Sequence, residues 1–199
     1  MLDEPFRRWM GRSAAAPARA LHRLGITPDQ VTVAAVSLGI AAAVLVGSGW
    51  FAVGLVTWVA GRLLDGYDGL LARISGRSSL FGGFLDITFD MLAYSAMAVG
   101  FAVAMPGDRM LWLFVLVGYV MAITTTLALS SLLERADREL GGDRSLQFTA
   151  APAEGGETTA VYILIALVPA WSRPVLAIWI ALLAATLVHR VALAARLLR

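Results

Sequence analysis

The chain has 199 residues, 59% of them hydrophobic, and a formal net charge of only +2. Its mean hydropathy of +0.76 is far too high for a soluble domain and fits one membrane domain, with no room for a second. The absence of cysteine excludes a disulfide framework and thiol chemistry, and so small a net charge argues against nucleic acid as a partner.

Every basic side chain apart from the two histidines is an arginine. The first residues include Asp3, Glu4, Arg7 and Arg8 with no early apolar core, unlike a signal peptide. Across residues 5–24, Phe6, Trp9, Met10, Leu21 and Leu24 alternate with Arg7, Arg8, Arg12, Arg19 and Arg23. This pattern predicts an amphipathic helix lying on a membrane surface, arginines toward anionic headgroups, interrupted at Pro17. Residues 1–26 are therefore expected as a juxtamembrane segment and residues 27–199 as the membrane domain.

Thr27, Pro28 and Gln30 have the spacing of an N-cap, a first helical proline and a capping box. The first span is expected over 31–47, ended by Gly47-Ser48-Gly49. Trp50 opens the second, which must continue as helix through Arg73 to about residue 74, because 50–65 is too short to cross a bilayer. The expected third, fourth, fifth and sixth spans are 80–105, 110–133, 158–169 and 175–188. The predicted fold is thus all-α and integral to the membrane, with six transmembrane helices and an N-terminal amphipathic interfacial helix. With six spans, all but a few of the arginines outside the spans fall on one side, Arg109 and Arg173 being the exceptions, and the positive-inside rule makes that side cytoplasmic. No internal repeat suggests an inverted-repeat transporter.

The most informative stretch is 65–90, where four aspartates interrupt an apolar background. Asp65 and Asp68 are three apart, Asp86 and Asp90 four apart, so each pair shares a helix face. Gly69 and Ala72 continue the first stripe with the smallest side chains, leaving the backbone open to a ligand. Gly82 lies one turn before Asp86. Two facing helices with two carboxylates each form an oxygen-lined cup suited to hard divalent cations, and buried carboxylates cost several kcal/mol unless paired or metal-bound.

The spacing Asp65-x-x-Asp68-Gly69-x-x-Ala72-Arg73, eight residues, then Gly82-x-x-x-Asp86-x-x-x-Asp90 resembles the signature of the CDP-alcohol phosphotransferase family. Six spans in about two hundred residues is also that family's plan, and Thr27 to Thr32 is similar to its Pro-Asn-x-x-Thr segment, with Asp29 in place of asparagine. The resemblance implies two divalent ions, Mg2+ or Mn2+, on Asp65, Asp68, Asp86 and Asp90, with Asp90 also the general base. It implies a cytidine diphosphate donor beside Gly69, Ala72, Arg73, Ser79, Pro28, Asp29, Gln30 and Val31. The implied reaction moves a phosphatidyl group, most simply from CDP-diacylglycerol, to a small polar alcohol with release of CMP, in an inner-membrane homodimer whose site faces the cytoplasm. A soluble CDP-alcohol with a lipid acceptor is the alternative pairing. A divalent-cation transporter would explain the carboxylates but not Gly69, Ala72, Arg73 and Gly82. An aromatic-acceptor polyprenyl transferase needs more spans and lacks this pattern.

For the acceptor the residues offer less. Family members acting on phosphorylated acceptors often carry Lys or Arg directly after the last motif aspartate, where this chain has Met91. Arg135, Arg138, Arg144 and Arg190 would make an anion site at the rim, or only set topology. Glu154 and Glu157, opening the fifth span, read as dipole-complementing residues or as an acidic acceptor wall. Arg62, deep within the second span, is expected to pair with Asp65 or Glu157, or to meet a donor phosphate. Tyr162, Trp58 and Trp179 are expected in packing, and Gly118 and Ala122 permit close helix contact. If Glu157 shapes the acceptor pocket, Glu157→Gln will change the acceptor KM several-fold while leaving the donor KM unchanged, as read from CMP release.

Overall fold

The computed structural model describes residues 15–140 and 155–198, and among these no strand occurs. Seven helices follow one another: α1 Ala15–Arg23, α2 Pro28–Gly47, α3 Phe51–Ser75, α4 Leu80–Ala104, α5 Arg109–Leu140, α6 Gly155–Leu167 and α7 Ser172–Leu197. Short 3-10 turns, Pro106–Asp108 and Pro169–Trp171, precede α5 and α7.

The boundaries follow local chemistry. Thr27 caps α2 in a complete capping box: the Gln30 N–H donates to Thr27 Oγ1 at 3.3 Å and the Thr27 N–H to Gln30 Oε1 at 3.0 Å. Gly76, at φ +63°, ends α3 in the left-handed conformation that a side chain resists. Ser79 caps α4, its Oγ accepting from the Gly82 N–H at 2.9 Å. Pro17 sits within α1 rather than interrupting it, in the first turn where a missing N–H costs nothing. The part of the expected surface helix before residue 15 lies outside the described residues.

The six-span expectation is met in part. Among the described residues four helical stretches are long and apolar enough to cross a membrane: Pro28–Gly47, Leu80–Ala104, Pro106–Arg135 and Pro169–Leu197. The helix α3 has the length, at 25 residues, but carries Arg62, Asp65, Asp68 and Arg73. The helix α6 has 13 described residues, about 20 Å at 1.5 Å per residue, against a hydrocarbon core of about 30 Å. The chain is a multi-pass helical membrane protein.

Helices α2, α3 and α4 pack as a trio, α5 packs along α7, and α4 and α6 join the two groups, α4 against α5 and α6 against α3. At their meeting point Tyr162 is fully buried among Trp58, Phe101 and Trp112, at ring-centroid distances of 5.4, 5.7 and 6.1 Å. Its hydroxyl lies 2.8 Å from the Tyr94 carbonyl and 2.9 Å from the Tyr119 hydroxyl, so the polar atom is satisfied in the core. Trp58, Tyr162 and Trp179 are packing residues, as expected. Gly118 is turned inward: a Cβ there would sit 2.7 Å from Leu183 on α7, so this small residue serves contact within the chain rather than an outer face.

Away from the aspartates, Ser172 Oγ donates to Asp108 Oδ2 at 2.5 Å and Arg173 Nε to Asp108 Oδ1 at 2.7 Å, tying the turn before α5 to the start of α7. Within the trio, Gly100 rests directly on the Ala43 carbonyl, and an added side chain would drive α4 from α2. Gly100→Val is expected to destabilise by about 1–3 kcal/mol, read as a lowered thermal midpoint in detergent, whereas Gly83→Ala, with open space at its Cβ position, will not lower it.

Candidate active site

Helix α3 continues unbroken through Gly66 and Gly69, so Asp65 and Asp68 keep their helical spacing, and α4 does the same for Asp86 and Asp90. Asp65, Asp68 and Asp86 each offer a carboxylate oxygen within 4.8 Å of the others. Asp68 is buried, Asp65 half-buried and Asp86 exposed, so the cup is closed at its base and open at its rim. That donor set, all hard oxygens, suits Mg2+ or Mn2+.

The base of the cup is held by a residue to which the sequence assigned no role. Thr32 of α2 donates to Asp68 Oδ2 at 2.5 Å, and the Gly69 N–H lies 2.5 Å from the other carboxylate oxygen. Both oxygens of the most buried aspartate are thereby oriented before any cation arrives. The sequence signal was Thr32 as the threonine of the Pro-Asn-x-x-Thr-like segment, one helical turn after Pro28.

Asp90, next to the cluster of three, is ion-paired with Arg62 Nη1, which also lies 3.5 Å from Asp65. The expected Arg62–Asp65 pair is therefore present, and Asp90 joins it. The Arg62 guanidinium sits 5.1 Å from the Trp58 ring centroid and 5.0 Å from that of Tyr94, between two aromatic faces. Tyr94 is one turn beyond Asp90, extending the 86–90 spacing to a third member that was not singled out.

Several residues expected around the donor converge on the same rim. A Cβ on Gly82 would lie 3.2 Å from Ser79 Oγ and 3.7 Å from Asp29 Oδ1, so the starts of α2 and α4 meet beside Asp86. Arg73 folds back over Gly69, its Nη1 3.7 Å from where a Cβ would stand. Ala72 is half-buried beside them, while Pro28 and Val31 are buried and Gln30 is engaged in its cap. Of the acceptor candidates, Glu157 is half-buried in the first turn of α6 and Arg135 is exposed near the end of α5. Glu154 and the Arg138 side chain lie outside the described residues.

A cavity of about 150 Å³ opens next to Met91, lined also by Tyr94, Tyr119, Thr126, Thr158 and Arg190. Arg190 Nη1 donates to the Ala122 carbonyl at 2.5 Å across α5 and α7. Its lining is mainly apolar, with Arg190 as its one cation and the Tyr94, Tyr119 and Thr126 hydroxyls already hydrogen-bonded within the protein.

These features define a helical membrane protein with an acidic divalent-cation site at one end of its bundle. Residues 25–191 match the family model for CDP-alcohol phosphatidyltransferase. The chain is 35% identical over 158 residues to the inner membrane protein YnjF of Escherichia coli, covering 77% of this chain and 75% of that one. It is 32% identical over 154 residues to the phosphatidylinositol phosphate synthase of Cutibacterium acnes, covering 69% and 73%. Crystal structures of the Mycobacterium tuberculosis phosphatidylinositol phosphate synthase superpose along most of the chain at 25% identity. The form with CDP-DAG bound has a TM-score of 0.66 and covers 93% of this chain and 92% of that one. The form with manganese and citrate has a TM-score of 0.64 and covers 92% and 87%. The chain belongs to the CDP-alcohol phosphatidyltransferase family, whose members are membrane transferases acting with divalent cations.

Because Thr32 orients Asp68, Thr32→Val is expected to lower Mn2+ affinity by about 10- to 100-fold in an electron-paramagnetic-resonance titration, with Thr32→Ser close to wild type.

Proposed function

We propose that this protein transfers a phosphatidyl group from CDP-diacylglycerol to a hydroxyl of a small polar alcohol, releasing CMP. The observation that carries the reading is the convergence of Asp65, Asp68 and Asp86, with Asp90 on the same helix one turn from Asp86. Asp65, Asp68, Asp86 and Asp90 would hold the divalent ions, which when bound neutralise the diphosphate and stabilise the departing CMP. Arg73, beside Gly69, offers a planar fork to a donor phosphate, and Asp29 and Ser79 border the cytidine side of the rim. Asp90 takes the proton of the acceptor hydroxyl as its oxygen attacks the β-phosphorus; the bond to CMP breaks and a phosphodiester remains.

The cavity beside Met91 lies next to Asp90 in the chain and suits the acceptor. Arg190 on its lining favours an alcohol with an anionic group over an ammonium-bearing one. Relatives named phosphatidylinositol phosphate synthase are consistent with this, while Met91 in place of a basic residue leaves a neutral polyol equally compatible. The arginine distribution supports a site facing the cytoplasm, where a soluble alcohol is made. We count α3 and α6 as the remaining two of six spans, α3 supported by its length and α6 by its apolar core contacts, with residues 1–26 as the surface segment and 27–199 as the catalytic domain. A homodimer is inferred from family membership.

Purified protein with Mg2+ or Mn2+ and CDP-diacylglycerol is expected to release CMP only with its acceptor, from a panel of inositol phosphate, glycerol phosphate, inositol, serine and ethanolamine. Asp90→Asn will abolish turnover while donor binding, measured by calorimetry, stays within a few-fold. Full activity of that variant removes Asp90 from the base role, and no CMP release with any acceptor or metal sinks the reading.

A further inference from the structure

Arg62 is the one charged side chain at the cup that the reaction above leaves without a task. Its side chain is only 11% exposed, deep in α3, and a buried guanidinium is retained at a cost of several kcal/mol unless its partners answer it. Two carboxylates and two aromatic faces do so here. Nη1 reaches both Asp90 and Asp65, and the rings of Trp58 and Tyr94 lie about the cation. Trp58 is itself fully buried, and the Tyr94 hydroxyl donates to the Gly155 carbonyl at the start of α6 at 3.3 Å. The guanidinium is thus fixed by neighbours that are themselves fixed, whereas Asp90, at 34% exposure, has no other hydrogen-bond partner among the described residues apart from it.

We propose that Arg62 is a positioning residue for Asp90, holding that carboxylate on the Tyr94 side of the cup. Tyr94 lines the acceptor cavity and also faces Arg62, so the clamp lies beside that cavity. An arginine that instead met the donor would need its fork free for phosphate, but here Nη1 is committed to carboxylates and Nε is buried without a partner.

The inference rests on Asp90 taking the acceptor proton. Arg62→Met keeps the length and packing of the side chain and removes its charge. It is expected to lower kcat about 100-fold, the scale of a misplaced catalytic group. The donor KM will stay within about 2-fold and Mn2+ affinity will be unchanged or higher, because a nearby positive charge has gone. Arg62→Lys, with charge but no planar fork, recovers part of kcat. If Arg62→Met does not fold, the same split is read on Arg62→Lys, with a smaller loss of kcat. A kcat within 3-fold of wild type for Arg62→Met, or a loss matched by a rise in donor KM or a collapse of Mn2+ binding, overturns the proposal. Failure of the underlying reaction is seen separately, as a wild-type chain that releases no CMP or an Asp90→Asn variant that remains active.

Discussion

Charge carried into an apolar bundle has to be answered inside that bundle. At the cup each ionised group has a partner or a cluster to belong to. Asp68 is answered by Thr32 and the Gly69 N–H, Asp90 by Arg62, and Asp65 by Arg62 together with the cluster it forms with Asp68 and Asp86. What remains unanswered is the surplus of carboxylate over cation, and this surplus makes the site an ion trap. A fully compensated cup would be stable and inert; a wholly uncompensated one would force the helices apart.

The rest of the bundle is arranged so that this imbalance can be tolerated. Close contacts between small residues, such as Gly100 on the Ala43 backbone, bring α2, α3 and α4 near enough for one threonine on α2 to reach an aspartate on α3. The aromatic cluster around Tyr162 fills the junction between the trio and the α5–α7 pair, and it also supplies Trp58 and Tyr94 as faces for Arg62. Core packing and site electrostatics therefore share residues.

Much of this was legible in the chain itself, for identifiable reasons. Aspartates three and four apart can be assigned to helix faces because helical geometry is local, and the Thr27 cap rests on a local rule of the same kind. The inter-helix contacts were not legible. Thr32 meets Asp68 across 36 residues and Arg62 meets Asp90 across 28, distances at which spacing carries no information. The span count is met only in part for a related reason. In α3 the function places charges where an apolar segment would otherwise be recognised, and the described part of α6 is shorter than a bilayer is thick. Gly118 showed the limit of composition: a small residue signals a close neighbour without saying whether it belongs to the same chain.

The tie between Asp108 and the Ser172–Arg173 pair has a mechanical consequence. Together with the Arg190 contact to Ala122, it fastens α5 and α7 at two levels, 108 to 172–173 and 122 to 190. The two rungs hold α5 and α7 together at both ends of the pair, so the side chains that line the cavity near the second rung set the shape of the alcohol it can admit.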